Sequence, residues 1–244
     1  MVPFPPLGEG STIRIFLNFL SSHLWGLLLP KPAIQESDYI MIGIVDYGVG
    51  NIFSLCSSFK KIGAHAELIK EPEKLAACER IILPGVGAFG DAREKLRASG
   101  MEEALMAEVR AGKPMLGICL GMQLLFEKSY EFGEYEGLSL VKGAIRPISD
   151  VIPAGYDIPH IGWNTLDFEE GCELFKYLKK GDFVYFVHSF YGAECEKSVI
   201  ATTEYGASLT AAVKSGNVWG VQFHPEKSGD VGLSILKAFC EIGD

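Results

Sequence analysis

The sequence predicts an α/β fold, with a central, mostly parallel mixed sheet flanked by helices. Two observations support this prediction. Short apolar stretches alternate with helical patterns from Met41 to Phe126, an order typical of βαβ units and parallel strands. From about residue 141, β-rich stretches follow one another, and we expect this strand-rich C-terminal half to join the same central sheet.

The first half divides into strand–helix steps. Apolar runs predict strands, and 3.6-residue periodicity, Gly63 after one helix and Pro72 in the first turn of another mark the helices. The predicted strands are 41–46, 65–70, 80–84 and 114–118. The predicted helices are 52–62, 72–78, 92–98, 101–111 and 120–126.

The second half is predicted to be mainly β-structure. Its expected strands are 141–148, 160–168, 183–190, 198–205, 208–216 and 217–224. Only 172–180 and 231–242 have a helical pattern.

Composition limits the function classes. A hydrophobic content of 48% with 22% charged residues is ordinary for a globular protein with a substantial core. A net charge of −9 argues against a nucleic-acid-binding surface. The 6 cysteines show neither zinc-ligand spacing nor a disulfide framework, so we expect a reducing, cytoplasmic setting.

Residues 1–40 differ from the rest of the chain. They hold five prolines and an apolar stretch too short and too polar for a membrane span. A clean strand pattern begins directly after Met41. We therefore expect 1–40 to be a disordered extension or an upstream translation, and 41–244 to be a single domain.

Cys119 lies where a buried strand meets a helical pattern, with Gly117 and Gly121 on either side. This is the pattern of a nucleophile elbow with sulfur in place of oxygen, in which the side chain projects into solvent from a strained backbone. The helix that follows would favour the thiolate. The local pattern is equally compatible with a buried structural cysteine.

The His224-Pro225-Glu226 sequence at the end of an apolar strand supplies a base for this thiol. In an extended segment, residues i and i+2 point the same way, so Glu226 could hydrogen-bond the far ring nitrogen of His224. Taken alone, this tripeptide is more typical of a solvated turn. Donors for an oxyanion are expected from the Leu120 N–H and from the glycine-rich turn at 84–87.

These residues belong to longer motifs that resemble a known family. G-I-C-L-G-M-Q, P-G-V-G-A-F-G-D-A and Q-F-H-P-E-K-S together resemble the class I (triad-type) glutamine amidotransferases. D-Y-G-V-G-N, P-H-I-G-W-N and Y-F-V-H-S-F-Y narrow the resemblance to glutaminase subunits of imidazole glycerol phosphate synthases, enzymes of histidine biosynthesis. The resemblance covers nearly all of 41–244 and none of 1–40.

The resemblance implies a role for each matched residue. Cys119 would attack the side-chain amide of L-glutamine, His224 would move the protons and Glu226 would orient His224. The remaining expected groups are oxyanion donors at Val86, Gly87 and Leu120, and glutamine-binding residues Gln123, Glu131, Ser189 and Phe190. In the family an aromatic hydroxyl is common where this chain has Phe190. Neither a metal nor a cofactor is expected.

The resemblance also implies a partner. In the family the glutaminase forms a heterodimer with a (βα)8-barrel cyclase, which receives the ammonia and makes imidazole glycerol phosphate and aminoimidazole carboxamide ribotide. Asn51, Trp163 and Tyr185 would lie on the docking face. From the residues alone, Asn51 could instead cap its helix, and the aromatic side chains could be ordinary core.

Two other functions are compatible with parts of the pattern. One is a different ammonia-donating glutaminase, such as that serving pyridoxal phosphate synthesis, which the 84–91 loop and H-I-G-W-N disfavour. The other is a catalytically silent binding module on the same fold, against which the complete set of Cys119, His224 and Glu226 argues.

Overall fold

A computed structural model of the chain describes residues 40–243. Within this range it contains five α-helices and fourteen strands. The helices are α1 (Ile52–Lys61), α2 (Phe89–Ala98), α3 (Met101–Arg110), α4 (Leu120–Leu124) and α5 (Gly229–Cys240). The strands are β1 (Met41–Val45), β2 (His65–Ile69), β3 (Arg80–Gly85), β4 (Met115–Cys119), β5 (Phe126–Ser129), β6 (Tyr135–Glu136), β7 (Val141–Pro147), β8 (His160–Thr165), β9 (Asp167–Phe168), β10 (Phe183–His188), β11 (Phe190–Ala193), β12 (Val199–Glu204), β13 (Ser208–Ser215) and β14 (Val218–Val221).

The predicted α/β class is confirmed by an eight-stranded mixed sheet in the order β2-β1-β3-β4-β14-β13-β12-β9. The five strands from β2 to β14 are parallel, and the other pairs are antiparallel. In the register of the sheet, Gly85 of β3 pairs with Cys119, and Val221 of β14 pairs with Ile118. The carboxyl ends of three neighbouring strands therefore meet at one edge, where open α/β sheets place their sites.

Helices cover both faces of this sheet. Leu96 of α2 and Leu105 of α3 pack in one apolar cluster, and Phe59 of α1 and Phe239 of α5 pack in another. Successive residues of β3 alternate between the two, Ile81 in the first and Ile82 in the second. The molecule thus has three layers, with a core on each side of the sheet.

The expectation that all C-terminal strands join one sheet is wrong. β10 and β8 form a separate two-stranded sheet, and β11-β7-β5-β6 form a four-stranded one. Every residue of β3 and β4 is buried, whereas burial alternates along β10. A strand with one wet face cannot occupy the middle of a sheet covered on both sides, so β10 pairs elsewhere.

Two helix predictions are wrong in extent near the site. The helix expected over 120–126 ends at Leu124. The N–H groups of Leu138 and Leu140 donate to the carbonyls of Leu124 and Leu125 at 2.8 Å each, so these carbonyls are hydrogen-bonded to another segment instead of continuing the helix. The chain then enters the unpredicted strand β5. Helix α2 begins at Phe89 rather than at residue 92, and the carboxylate of Glu131 accepts the Phe89 N–H at 2.6 Å.

Two other helix predictions give 3-10 turns instead. The segment expected over 72–78 is a 3-10 helix, Pro72–Ala77. The helix expected over 172–180 is reduced to one 3-10 turn, Glu173–Phe175. After it the Leu178 N–H donates to the Phe175 carbonyl at 2.9 Å and the Asp182 N–H to the Lys179 carbonyl at 3.0 Å. Gly181 between them has φ +90°, so the segment is a series of turns rather than a helix.

The prediction for 1–40 lies, apart from Ile40, outside the described residues. Within 40–243, no helix is long and apolar enough to cross a membrane.

Candidate active site

Cys119 ends β4 and directly precedes α4, with φ 55° and ψ −114°. A non-glycine residue at positive φ stores strain of about 1–3 kcal/mol, which the surroundings must impose. Here the strain is maintained by close packing of the backbone, which the neighbouring glycines allow. A Cβ on Gly121 would lie 1.8 Å from the Leu83 carbonyl oxygen, and one on Gly117 would lie 2.7 Å from the Gly121 oxygen. The thiol is 7% exposed and faces a cavity, so the expectation that it projects into open solvent is wrong.

Because α4 is only five residues long, its dipole is a weak source of thiolate stabilisation. His224 provides a stronger one. Burial opposes the charged ring, but hydrogen bonds with Cys119 and Glu226 and their negative charges outweigh it and raise the pKa of His224 to about 10. At neutral pH the His224 ring is therefore protonated, and its positive charge is available to stabilise a negative charge on the sulfur.

His224 Nδ1 and Glu226 Oε1 are 2.8 Å apart, and both side chains are almost fully buried. The local geometry differs from the predicted extended segment. β14 ends at Val221, and Pro225–Lys227 is a 3-10 turn, so a turn rather than strand alternation brings the carboxylate under the ring. Asn51 Nδ2 donates to the same Oε1 at 3.3 Å. The suggestion that Asn51 caps α1 is wrong, because its side chain makes no capping hydrogen bond.

Two groups that the sequence did not reveal fix the backbone of His224. The His224 N–H donates to the Tyr185 carbonyl at 2.9 Å. The Ser228 hydroxyl donates to the His224 carbonyl at 2.6 Å and accepts the Tyr185 N–H at 3.0 Å. Strand β10 and the turn after β14 are thereby joined directly behind the imidazole.

The expected oxyanion donors Val86, Gly87 and Leu120 all border the same cavity as Cys119. The Tyr47 hydroxyl donates to the Pro84 carbonyl at 2.8 Å, which anchors the strand leading into the loop. Gly87 has φ +97° with open space around it, a conformation that glycine adopts without strain.

The cavity has a volume of 510 Å³, within the range of small-molecule sites. All four residues expected to bind glutamine line it: Gln123, Glu131, Ser189 and Phe190. Burial raises the pKa of Glu131, against the lowering effect of the hydrogen bond from the Phe89 N–H. A buried carboxylate at the cavity wall is suited to pair with an ammonium group.

Trp163 and Tyr185, two of the three expected docking residues, are neighbours across the β8–β10 pair, with ring centroids 6.1 Å apart. Trp163 is 55% exposed and Tyr185 half-buried, so neither is ordinary core. Phe186, by contrast, is fully buried. Asn51 reaches the same region through its bond to Glu226.

Gln222 is a further polar residue of the site, and sequence analysis predicted no role for it. It is fully buried, with Nε2 3.8 Å from Cys119 Sγ and Oε1 3.0 Å from Gln123 Nε2. Its one sequence signal is that it interrupts an otherwise apolar run before His224.

A second cavity, of 570 Å³, lies beside β9 and β12 and is lined by acidic residues and two lysines. Lys180 pairs with Asp167, and Lys214 with Glu173. The described residues that line it include no nucleophile paired with a histidine. Among the described residues there is also no cluster of potential metal ligands.

Comparison with known proteins identifies the family of this chain. The family model described as glutamine amidotransferase class-I matches residues 43–241. A protein of Wolinella succinogenes named imidazole glycerol phosphate synthase subunit HisH is 52% identical over 205 residues, covering 83% of this chain and 100% of that protein. A protein of the same name from Caldanaerobacter subterraneus is 48% identical over 203 residues, covering 83% and 98%. A solved structure titled as a glutamine amidotransferase aligns with a TM-score of 0.64 at 20% identity, over 81% of this chain and 98% of that one, and supports the fold.

Proposed function

Because the chain belongs to the class I glutamine amidotransferase family, we propose that it is the glutaminase subunit of an imidazole glycerol phosphate synthase. The observation that carries the chemistry is the strained Cys119 beside the buried His224–Glu226 pair, at the wall of a glutamine-sized cavity. The activity is assigned to residues 41–244, and the enzyme to the cytoplasm.

In the first half-reaction the Cys119 thiolate attacks the side-chain carbonyl carbon of glutamine. The oxygen of the tetrahedral intermediate is stabilised by the Leu120 N–H and by an N–H of the Val86–Gly87 segment. The C–N bond then breaks, and the His224 imidazolium gives its proton to the leaving nitrogen. The products are ammonia and a glutamyl thioester on Cys119.

In the second half-reaction a water molecule replaces the departed ammonia. Neutral His224 now takes a proton from the water, which attacks the thioester carbon, and the C–S bond breaks. Glutamate leaves, and the thiolate–imidazolium pair is restored. Glu226 keeps the ring in one orientation and stabilises its charge in both steps.

The substrate is held by several of the residues that line the cavity. Glu131 pairs with the α-ammonium group of glutamine, and Gln123 with the backbone of Ser189 and Phe190 positions the rest of the molecule. All four residues line the cavity that contains the thiol. Phe190 offers only its backbone here, because its ring has no hydroxyl.

Activation depends on the loop after β3 and on the partner. A flip of the Val86–Gly87 peptide would aim an N–H at the oxyanion, and this is inexpensive because Gly87 has positive φ and open space around it. The partner is a (βα)8-barrel cyclase that docks on Asn51, Trp163 and Tyr185 as a heterodimer. Ammonia released at Cys119 passes into that barrel for synthesis of imidazole glycerol phosphate.

The test is glutamate release from glutamine by the complex with the cyclase subunit, with and without its nucleotide ligand. Wild type should turn over, faster with the ligand, and Cys119→Ala should not. Cys172→Ala is the matched control, since Cys172 lies at the acidic cavity, away from the site. Turnover retained by Cys119→Ala would refute the mechanism, and absence of glutamate release by the wild-type complex would refute the function.

A further inference from the structure

Gln222 is enclosed between the nucleophile and the glutamine-binding residues. Its Nε2 lies 3.8 Å from Cys119 Sγ, within hydrogen-bonding distance for sulfur, and its Oε1 accepts Gln123 Nε2 at 3.0 Å. Buried amides are retained where both ends have partners. Which end of the amide faces the sulfur decides whether the contact favours the thiolate.

A backbone carbonyl fixes that orientation. The Phe190 oxygen, which can only accept, is 2.8 Å from His188 Nδ1 and 3.4 Å from Gln123 Nε2. Both nitrogens must therefore carry hydrogens. Since Gln123 presents its NH2 group to Gln222, the facing atom of Gln222 is the acceptor Oε1. The amide N–H of Gln222 then points at Cys119.

The same reasoning extends away from the thiol towards β8. With its Nδ1 protonated, neutral His188 has an acceptor at Nε2, which lies 3.1 Å from His160 Nδ1. His160 Nε2 in turn faces Asn164 Nδ2 at 3.3 Å, and that nitrogen also donates to the Glu204 carbonyl at 2.8 Å.

Both imidazoles are held in this state. Burial lowers the pKa of His160 to about 4, and burial together with the neighbouring imidazoles lowers that of His188 to about 4 despite its bond to the Phe190 carbonyl. Each ring is therefore neutral at physiological pH and has one tautomer. The hydrogen bonds run from Asn164, next to the exposed Trp163, to the Phe190 carbonyl, where those of Gln123 and Gln222 begin.

We propose that Gln222 donates an N–H to the Cys119 thiolate during the glutaminase reaction, and that His188 and His160 are positioning residues which hold the Phe190 carbonyl, the group that fixes the orientation of Gln123 and Gln222. The inference rests on the proposed function for its chemical role. The donor stabilises the sulfur anion in the resting enzyme and again when the thioester collapses. It acts with His224, the cationic partner of the sulfur.

The groups facing the thiol come from several elements. They are His224 and, behind it, Glu226 from the turn after β14, Tyr47 from the loop after β1, His188 from β10, and Glu131 across the cavity. The variants below leave Tyr47, His224 and Glu226 unchanged. A change in thiol reactivity with pH can therefore be referred to Gln222 or to the residues that orient it.

The test compares the wild-type complex with Gln222→Met, which keeps the side-chain length and removes both hydrogen bonds. Alkylation of Cys119 by iodoacetamide is followed against pH by peptide mass spectrometry, alongside kcat and KM for glutamate release. We expect the midpoint of the alkylation profile to lie about one pH unit higher, and alkylation to be about tenfold slower at pH values below both midpoints, since one unit is tenfold in thiolate population there. The kcat should fall about tenfold, with KM changed less.

Thr203→Val is the matched control, because the Thr203 hydroxyl, on β12, is buried and has no hydrogen-bond partner among residues 40–243. Its alkylation profile should equal that of wild type. A wild-type profile and kcat for folded Gln222→Met would overturn the inference. A shifted profile in a complex whose wild type releases no glutamate would instead refute the proposed function and leave the donor contact standing.

A second comparison covers the case in which Gln222→Met does not fold. In His188→Asn the amide nitrogen can take the place of Nδ1 and still donate to the Phe190 carbonyl, whereas His188→Ala cannot. We expect the alanine variant to alkylate more slowly than wild type and the asparagine variant to recover much of the rate. Equal profiles for the two variants would overturn the positioning role.

Discussion

Replacing Gly121 by alanine should leave the chain folded but strongly lower its rate of glutamate release. In a helix, alanine is favoured over glycine by about 1 kcal/mol, so propensity alone predicts a gain in stability. The added Cβ, however, would lie 1.8 Å from the Leu83 carbonyl oxygen, and real Cβ atoms do not come within 3.0 Å, so α4 must shift by at least 1.2 Å from β3. Overpacking of this kind costs about 1–3 kcal/mol and outweighs the propensity.

The shift would move Leu120 and Cys119 together, because both lie at the start of α4. A misplacement of about 1 Å can cost about 100-fold in rate, and loss of one oxyanion donor about 100- to 1000-fold. We therefore expect kcat for glutamate release to fall at least 100-fold. Urea unfolding should still give a cooperative transition, which shows that the variant is folded.

The matched control is Gly63→Ala, at the end of α1. Gly63 has φ +77° and open space around it, so alanine adds only backbone strain of about 1–2 kcal/mol, far from the thiol. Its unfolding free energy should fall while kcat stays at the wild-type value. If Gly121→Ala folded and kept kcat within about threefold of wild type, close packing of α4 on β3 would not be what positions the nucleophile.

Two further predictions concern charge. Glu226→Gln should lower kcat about 10⁴-fold, because the His224 imidazolium loses its carboxylate, yet leave a rate above that of Cys119→Ala; equal rates would contradict an orienting role for Glu226. Burial lowers the pKa of His160 from 6.5 to about 4, and burial with the neighbouring imidazoles lowers that of His188 to about 4. As the pH falls, the unfolded chain therefore takes up these protons before the folded protein does. The free energy of unfolding is lost as the pH falls from about 6.5 towards 4. At pH 5 the loss should be about 2 kcal/mol for each ring, measured by urea unfolding, and smaller in His188→Asn; an equal loss in that variant would exclude a contribution from His188.

Much of the nucleophile's setting is predictable because it is local. The strand–Cys119–helix corner depends on an apolar run, flanking glycines and an abrupt change of periodicity, all within the span of a single sequence window. The first four parallel strands follow from the same local signals. The helix after Cys119 was overestimated because its last carbonyls are taken by the segment at 138–140, a contact that no local pattern encodes.

The groups behind the catalytic residues depend on contacts distant in sequence. Gln222 and Cys119 are 103 residues apart, and Asn51 and Glu226 are 175 apart. Because Gln222 is a lone polar residue in an apolar run, the sequence indicates that it has buried hydrogen-bond partners. It does not indicate which residues these are. Likewise, a helix N-cap and a partner for a buried carboxylate are both ordinary roles for Asn51, and only the folded chain decides between them.

The most direct test of the central claim is covalent labelling of the wild-type complex with an electrophilic glutamine analogue, followed by peptide mass spectrometry. We expect one label per chain, on Cys119, with simultaneous loss of glutamate release and protection by excess glutamine. Labelling should disappear in Cys119→Ala and persist in Cys172→Ala. An unlabelled Cys119 in a complex that releases glutamate, or inactivation through another residue, would contradict the assignment of Cys119 as the nucleophile.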